Sequence, residues 1–279
     1  MFHLRFWGVR GSVPSPGPLT SRYGGNSACV EVRFRSPFGF SLPILFDLGS
    51  GARGFSLRNR TEKRLLVLLS HTHLDHIQGF SFMPILDMPG AEIDIFGPQD
   101  TGLKTTMSQI SSPPIFPVPL EKRVAKVNFH EVGNSEIPTE IADLRIISRF
   151  IPHSDLTLGF RVEAFGRSIA YITDHQQGSD PTYVDPMVLE LAQDCDLLIH
   201  DGQYDDDEFI QRPNWGHSTL AYAIQVAKTA SAKRLVIFHH DPDRNDDELD
   251  ALLGEYFVNS MALGVPLIGA WEGMELEVE

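Results

Sequence analysis

At 279 residues, 42% hydrophobic and 22% charged, the chain can bury a large core. A formal charge of −14 opposes binding to long nucleic acids, which depends on Lys and Arg neutralising phosphates, and no apolar run reaches membrane-spanning length. The opening Met1-Phe2-His3-Leu4-Arg5-Phe6-Trp7-Gly8 lacks a basic region followed by an apolar signal segment, so a cytoplasmic location is expected, and Cys29 and Cys195 read as buried free thiols.

Phe2 to Phe6 reads as a strand, Gly8 to Gly25 as a Gly-, Pro- and Ser-rich loop, and Cys29 to Phe34 as a second strand. The loop is either a surface connection or a pocket wall offering Arg10 and Asn26 to an anion. Leu42 to Asp47 is an apolar strand ending in a carboxylate, a position suited to supporting a metal ligand from behind or to a plain turn. Leu65 to Leu69 reads as a buried strand, followed at once by Ser70-His71-Thr72-His73-Leu74-Asp75-His76. Side chains on a strand alternate between faces, so these four donors converge only where the backbone turns after the strand ends. Three imidazoles with a carboxylate suit zinc or another borderline first-row cation, manganese or iron included, better than calcium or magnesium.

Further on, Gln78 to Met88 reads as a helix, Ile93 to Phe96 as a strand and Gly102 to Ile110 as a helix. Ser111 to Pro119, with four prolines, is a loop, read as packed surface rather than as a lid. From Ala142 the pattern turns β again. Leu144 to Phe150 leads to Pro152-His153, and a hairpin of Leu158 to Ala164 with Ser168 to Thr173 leads to Asp174. Both His153 and Asp174 fall just past strand ends, as His71 to His76 do. Pro186 to Ala192 is helical, and Asp196 to Asp201 is a strand ending in an acid. The run Asp205 to Glu208 reads as a solvated helix start. His217-Ser218-Thr219 precedes an amphipathic helix carrying Leu220, Ala223, Ile224 and Ala227. There His217 is expected to be exposed, its positive charge disfavoured by the helix dipole unless Asp201 compensates. Arg234 to Phe238 is a strand ending in His239-His240-Asp241. A helix from Asp246 to Ala262 and a strand near Pro266 to Trp271 close the chain. No composition break divides it, so one domain over 1–279 is expected, with an α/β architecture of mixed sheets covered by helices on their outer faces.

The ordered set of Asp47, His71-x-His73-x-Asp75-His76, His153, Asp174 and a late His resembles the metallo-β-lactamase superfamily over nearly the whole chain. The resemblance implies a four-layer αβ/βα sandwich with a two-metal site, two divalent ions with zinc as the first expectation. It implies His71, His73 and His153 on one ion, Asp75, His76 and the last His on the other, and Asp174 bridging. Alignment of the strand end favours His239 over His240 as that last ligand. Leu198 to Tyr204 resembles the His-Glu-Ala-Thr-Phe segment of ribonuclease Z, and His217-Ser218-Thr219 its His-Ser-Thr motif. These are phosphodiesterase features: a leaving oxygen needs a proton, which His217 oriented by Asp201 can give. Asp75, His217 and Asp201 are therefore the catalytic candidates, acting on a cyclic nucleotide or other small phosphodiester.

The chain departs from ribonuclease Z in having one tight hairpin between His153 and Asp174, where those enzymes commonly insert a tRNA-gripping arm, and Asp201 where they have Glu. Transfer-RNA 3′ processing is therefore the second enzymatic reading, thioester or lactone hydrolysis a third, and a metal-holding sensor the reading from outside catalysis. His73 stands where diiron flavoproteins of the superfamily have Glu, which opposes a redox role. Phe6-Trp7-Gly8-Val9-Arg10-Gly11-Ser12 and His239-His240-Asp241-Pro242 resemble a bacterial group of metal-dependent hydrolases. A homodimer is expected by resemblance alone.

Overall fold

In the computed structural model, which describes residues 1–36, 39–40, 42–139, 141 and 143–279, the apolar segments pair into two sheets. The first holds β1 (Phe2–Gly8), β2 (Cys29–Ser36), β3 (Gly39–Phe40), β4 (Ile44–Phe46), β5 (Arg64–Leu68), β6 (Glu92–Pro98) and β7 (Lys126–Val132). The second holds β8 (Ser135–Ile137), β9 (Leu144–Ile151), β10 (Thr157–Ala164), β11 (Arg167–Ile172), β12 (Leu197–Asp201), β13 (Leu235–Phe238) and β14 (Leu267–Gly269), after which β15 (Glu275–Val278) returns to pair with β1. Both sheets are mixed. In the first, β4 through β7 run parallel; in the second, β11 through β14 do.

The inward faces of the two sheets share one core, with Phe6, Phe46 and Val32 meeting Phe160, Tyr171 and Phe238. Burying an apolar face on each side of each sheet requires outer layers, and helices supply them. Over the first sheet, α1 (Ala52–Arg58), α2 (Leu74–Ile77) and α3 (Leu103–Ile110) contribute Phe55, Ile77, Leu103 and Met107. Over the second, α4 (Pro186–Ala192), α5 (Asp206–Gln211), α6 (Leu220–Thr229) and α7 (Asp246–Ala262) follow in order, and α4, α6 and α7 bury Leu191, Val226 and Leu249. The result is the four-layer αβ/βα sandwich. The acidic run does start a helix: Asp205 and Glu208 form a reciprocal capping box on α5.

Several expectations change. Gln78 to Met88 forms only 3-10 turns, Phe80–Phe82 and Pro84–Asp87, because Pro84 forces Met83 into extended backbone (ψ 117°). The α1 helix, with Gly54 inside it, is held by the burial of Phe55 rather than by propensity. The strands β7, β8 and β15 were not expected; β8 and β15, at three and four residues, are too short to carry a pattern. Ala142 lies outside the described residues. The proline-rich loop packs as a surface loop, Phe116 lying edge-on to Phe82 with rings 5.3 Å apart and Arg123 over its face. Cys29 and Cys195 are buried free thiols. Among the described residues no helix is long and apolar enough to cross a membrane.

The strands β4, β5, β9, β11, β12 and β13 end at one edge of the sandwich, the usual place for a crevice in such sheets. There a backbone hydrogen bond from the Leu158 amide to the Ser70 carbonyl, at 2.9 Å, links the two sheets.

Candidate active site

Each strand end delivers one or more polar side chains to that edge. After β4, Asp47 adopts a left-handed φ of 59°; after β11, Asp174 does so at 48°; after β13, His239 does so at 60°. Non-glycine residues adopt this conformation rarely, Asp and His more readily than most, and each such turn swings a side chain off the strand direction. After β5 the chain runs through Ser70 and His71 into α2, whose N-cap is His73, so Asp75 and His76 turn back towards the same point.

Two groups result. The donor atoms of His71, His73, His153 and Asp174 lie within 4.8 Å of one another, and so do those of Asp75, His76, Asp174 and His239. Asp174 belongs to both. Its Oδ2 lies 3.8 Å from His71 Nε2 and 4.0 Å from His153 Nε2, while its Oδ1 lies 3.1 Å from His76 Nε2 and 3.2 Å from His239 Nε2. Asp75 Oδ2 completes the second group at 3.2 Å from His76 and 3.3 Å from His239.

Each of these five imidazoles has one nitrogen held from outside and the other turned inward. His76 Nδ1 donates to Asp47 at 2.8 Å, His153 Nδ1 to the Gly216 carbonyl at 2.8 Å and His239 Nδ1 to Gln203 Oε1 at 3.1 Å. His71 Nδ1 faces Ser70 Oγ at 3.0 Å, and His73 uses its other nitrogen, Nε2, on Asp155 at 2.8 Å. Such tethers fix the tautomer, so that in the neutral ring the lone pair a cation needs is on the inward nitrogen; with no cation, Asp174, Asp75 and Asp47 overcome burial and raise His76 towards its protonated form. The donor chemistry therefore fits divalent cations. His71 Nε2 is buried with no hydrogen-bond partner among the described residues, and His76 and His239 turn their Nε2 atoms towards each other at 3.2 Å, an arrangement a shared cation relieves. Burial pushes His71 and His153 below the ordinary histidine value. Burial works against charge at Asp75 and Asp174 too, but His76 and His239 outweigh it and hold both carboxyls ionised.

Asp47 stands behind both groups. Its Oδ2 accepts from His76, from Ser70 Oγ at 3.0 Å and from Tyr171 Oη at 2.7 Å, and its Oδ1 accepts from the Ser70 amide at 2.7 Å. His240 turns away, donating to the Ala270 carbonyl at 2.8 Å, and burial drops it to about 3.

His217 is not exposed but 7% accessible, its Nδ1 donating to Asp201 Oδ2 at 2.9 Å. Its ring lies 5.1 Å from that of His239 and 5.9 Å from that of His153. Burial opposes its charge, but Asp201, with Asp174 and Asp75 behind it, raises it above the ordinary value. Two glycines make room: a Cβ on Gly11 would lie 2.4 Å from His239 Nδ1, and one on Gly216 would lie 2.3 Å from the His153 ring. Arg10 offers nothing to an anion. It is fully buried and donates to the carbonyls of Gly24, Asp241 and Arg244, while Asn26 is held by Glu272. Sequence reasoning did not identify Asp155, Gln203 or Tyr171, each an ordinary residue far along the chain from the histidine or aspartate it supports.

Residues 44–240 match the family model of the beta-lactamase superfamily domain. Ribonuclease Z of Picrophilus torridus is 26% identical over an alignment 309 positions long, gaps included, covering 91% of this chain and 90% of that protein. A diphosphatase from the PhnP family shares the fold with a TM-score of 0.72 at 21% identity, over 100% of this chain and 98% of that one. The short form of human tRNase Z gives 0.69 at 21% identity, over 99% of both. The family match runs from β4 to just past β13 and contains both histidine and carboxylate groups, so the chain belongs to the beta-lactamase superfamily, in its ribonuclease Z-like branch.

Proposed function

We propose that this metal-dependent hydrolase cleaves a small phosphodiester, a cyclic or short nucleotide, using two divalent ions, with zinc first and manganese or iron as alternatives. His71, His73 and His153 would hold one ion, Asp75, His76 and His239 the other, and Asp174 both. Bound there, the ions would activate a water for attack and offset charge on the phosphoryl oxygens. The supporting observation is the pair outside the two four-donor groups: a buried His217, oriented by Asp201, whose charge raises it above the ordinary histidine value. With Nδ1 engaged, Nε2 is the nitrogen left to protonate a departing alkoxide, a need that acyl transfer with good leaving groups does not impose.

The likeness to ribonuclease Z favours tRNA 3′ processing as a second reading. Against it, Phe165 and Gly166 alone close the hairpin between β10 and β11, leaving no arm there, and the charge of −14 repels a polyanion. The two buried thiols suit a cytoplasmic setting. Metal analysis followed by assays on bis(p-nitrophenyl) phosphate, a thioester, a lactone and a precursor tRNA separates these readings. Turnover of the thioester or lactone alone would remove the role given to His217. Within the diester reading, His217→Ala should cost about 10²- to 10⁴-fold with an alkoxide leaving group and far less with p-nitrophenolate, at unchanged metal content.

A further inference from the structure

The loop that delivers His217 also presents a large aromatic side chain that the chemistry above does not use. Trp215 is 64% exposed, although it is separated from His217 only by Gly216, whose carbonyl accepts from His153 Nδ1. An exposed indole usually sits on a mobile segment or is covered by a partner. This one sits on a loop fixed from both sides by Gln176, whose Nε2 donates to the Pro213 carbonyl at 2.8 Å and whose Oε1 accepts from the Gly216 amide at 2.7 Å.

The indole is also backed. The Arg212 guanidinium lies over it, 5.4 Å from the ring centroid, and over the buried ring of Tyr204 at 5.3 Å, while its Nη1 donates to Asp241 at 3.1 Å. Tyr204 in turn meets the His217 ring edge-on at 5.7 Å. One face of Trp215 is thus occupied by a cation whose charge Asp241 already offsets, and the exposure that remains belongs to its other face and edge. A rigid, half-covered aromatic plane beside a reacting centre is a stacking platform: it binds flat rings without reading their edges.

We infer that Trp215, backed by Arg212, is a substrate subsite for a planar base, so that the diester cleaved here is a nucleoside derivative rather than a polyol or bare sugar phosphate. This rests on the phosphodiesterase reading, and the test keeps the two apart. Adenosine 2′,3′-cyclic phosphate and glycerol 1,2-cyclic phosphate carry the same five-membered cyclic diester, with and without a base. Trp215→Ala should raise KM for the adenosine compound about tenfold or more, the loss of one stacked base, with kcat and the glycerol compound changed by less than about twofold; Trp215→Phe should restore most of the loss. Equal losses on both substrates, or no loss on either, would overturn the subsite. In parallel, adenosine alone should quench tryptophan fluorescence in the wild type and not in Trp215→Ala, which keeps Trp7 and Trp271. Quenching without cleavage of any diester would leave the subsite standing and remove the phosphodiesterase reading; cleavage without quenching and without preference for the base would do the reverse.

Discussion

Asp47 touches no inward-facing nitrogen, yet both donor groups lean on it: His76 directly, and His71 through Ser70. Asp47→Asn keeps the volume but places an amide where an acceptor of several hydrogen bonds is needed. We expect metal affinity, followed by chelator competition, to fall about 10- to 100-fold. The pair of His217 and Asp201 makes a prediction in pH. In the proposed role donation would require the protonated ring, so activity should fall as pH rises through its pKa, and the upward shift should place that alkaline limb above the ordinary histidine range near 6.5. Asp201→Asn removes the charge that raises it, and the limb in a kcat/KM profile should move to lower pH. An unmoved limb would assign it to another group. The main donors were legible because four of them are packed into one motif and the rest follow strand ends. Asp155, Gln203 and Tyr171 were not, since each is an ordinary residue 82, 36 and 124 positions from the side chain it supports.

At the scale of elements, the helix starts were the most readable features, because a cap is a local bargain between a side chain and free amides. Asp185 before α4, Thr219 before α6 and Asn245 before α7 all accept from those amides. Thr219→Ala should therefore cost about 1 kcal/mol, a fall in Tm of roughly 2–4 °C at this chain length. Because Thr219 also holds the end of the loop carrying His217, a scanning-calorimetry loss should be accompanied by a modest fall in kcat. The left-handed turns at Asp47, Asp174 and His239 could not be read in advance, since tertiary packing imposes them on residues with no glycine to announce them. The failed helix from Gln78 shows the converse: periodicity suggested it, and Pro84 with its extended predecessor cancelled it.

For the whole molecule, the two layers of strands meet differently along their length. Through the middle they are joined by apolar contact among Phe46, Phe160 and Tyr171, but at the active edge they present carboxylates and imidazoles to each other. Each four-donor group draws on both sheets, so an ion held there as proposed would bridge them, and its removal would leave carboxylates and imidazoles facing one another unbridged. Dialysis against a chelator should lower Tm by roughly 5–10 °C relative to protein with an ion at 100 times its Kd, and zinc should restore it. The hydrogen bond from the Leu158 amide to the Ser70 carbonyl spans that same seam. Its single proton becomes a clock for the seam's opening: exchange with deuterium should be slow in the loaded protein and faster by an order of magnitude or more after chelation, while amides in the middle of β10 keep their pace. Metal status would then be written into the exchange rate of one main-chain proton, readable in protein that turns over nothing.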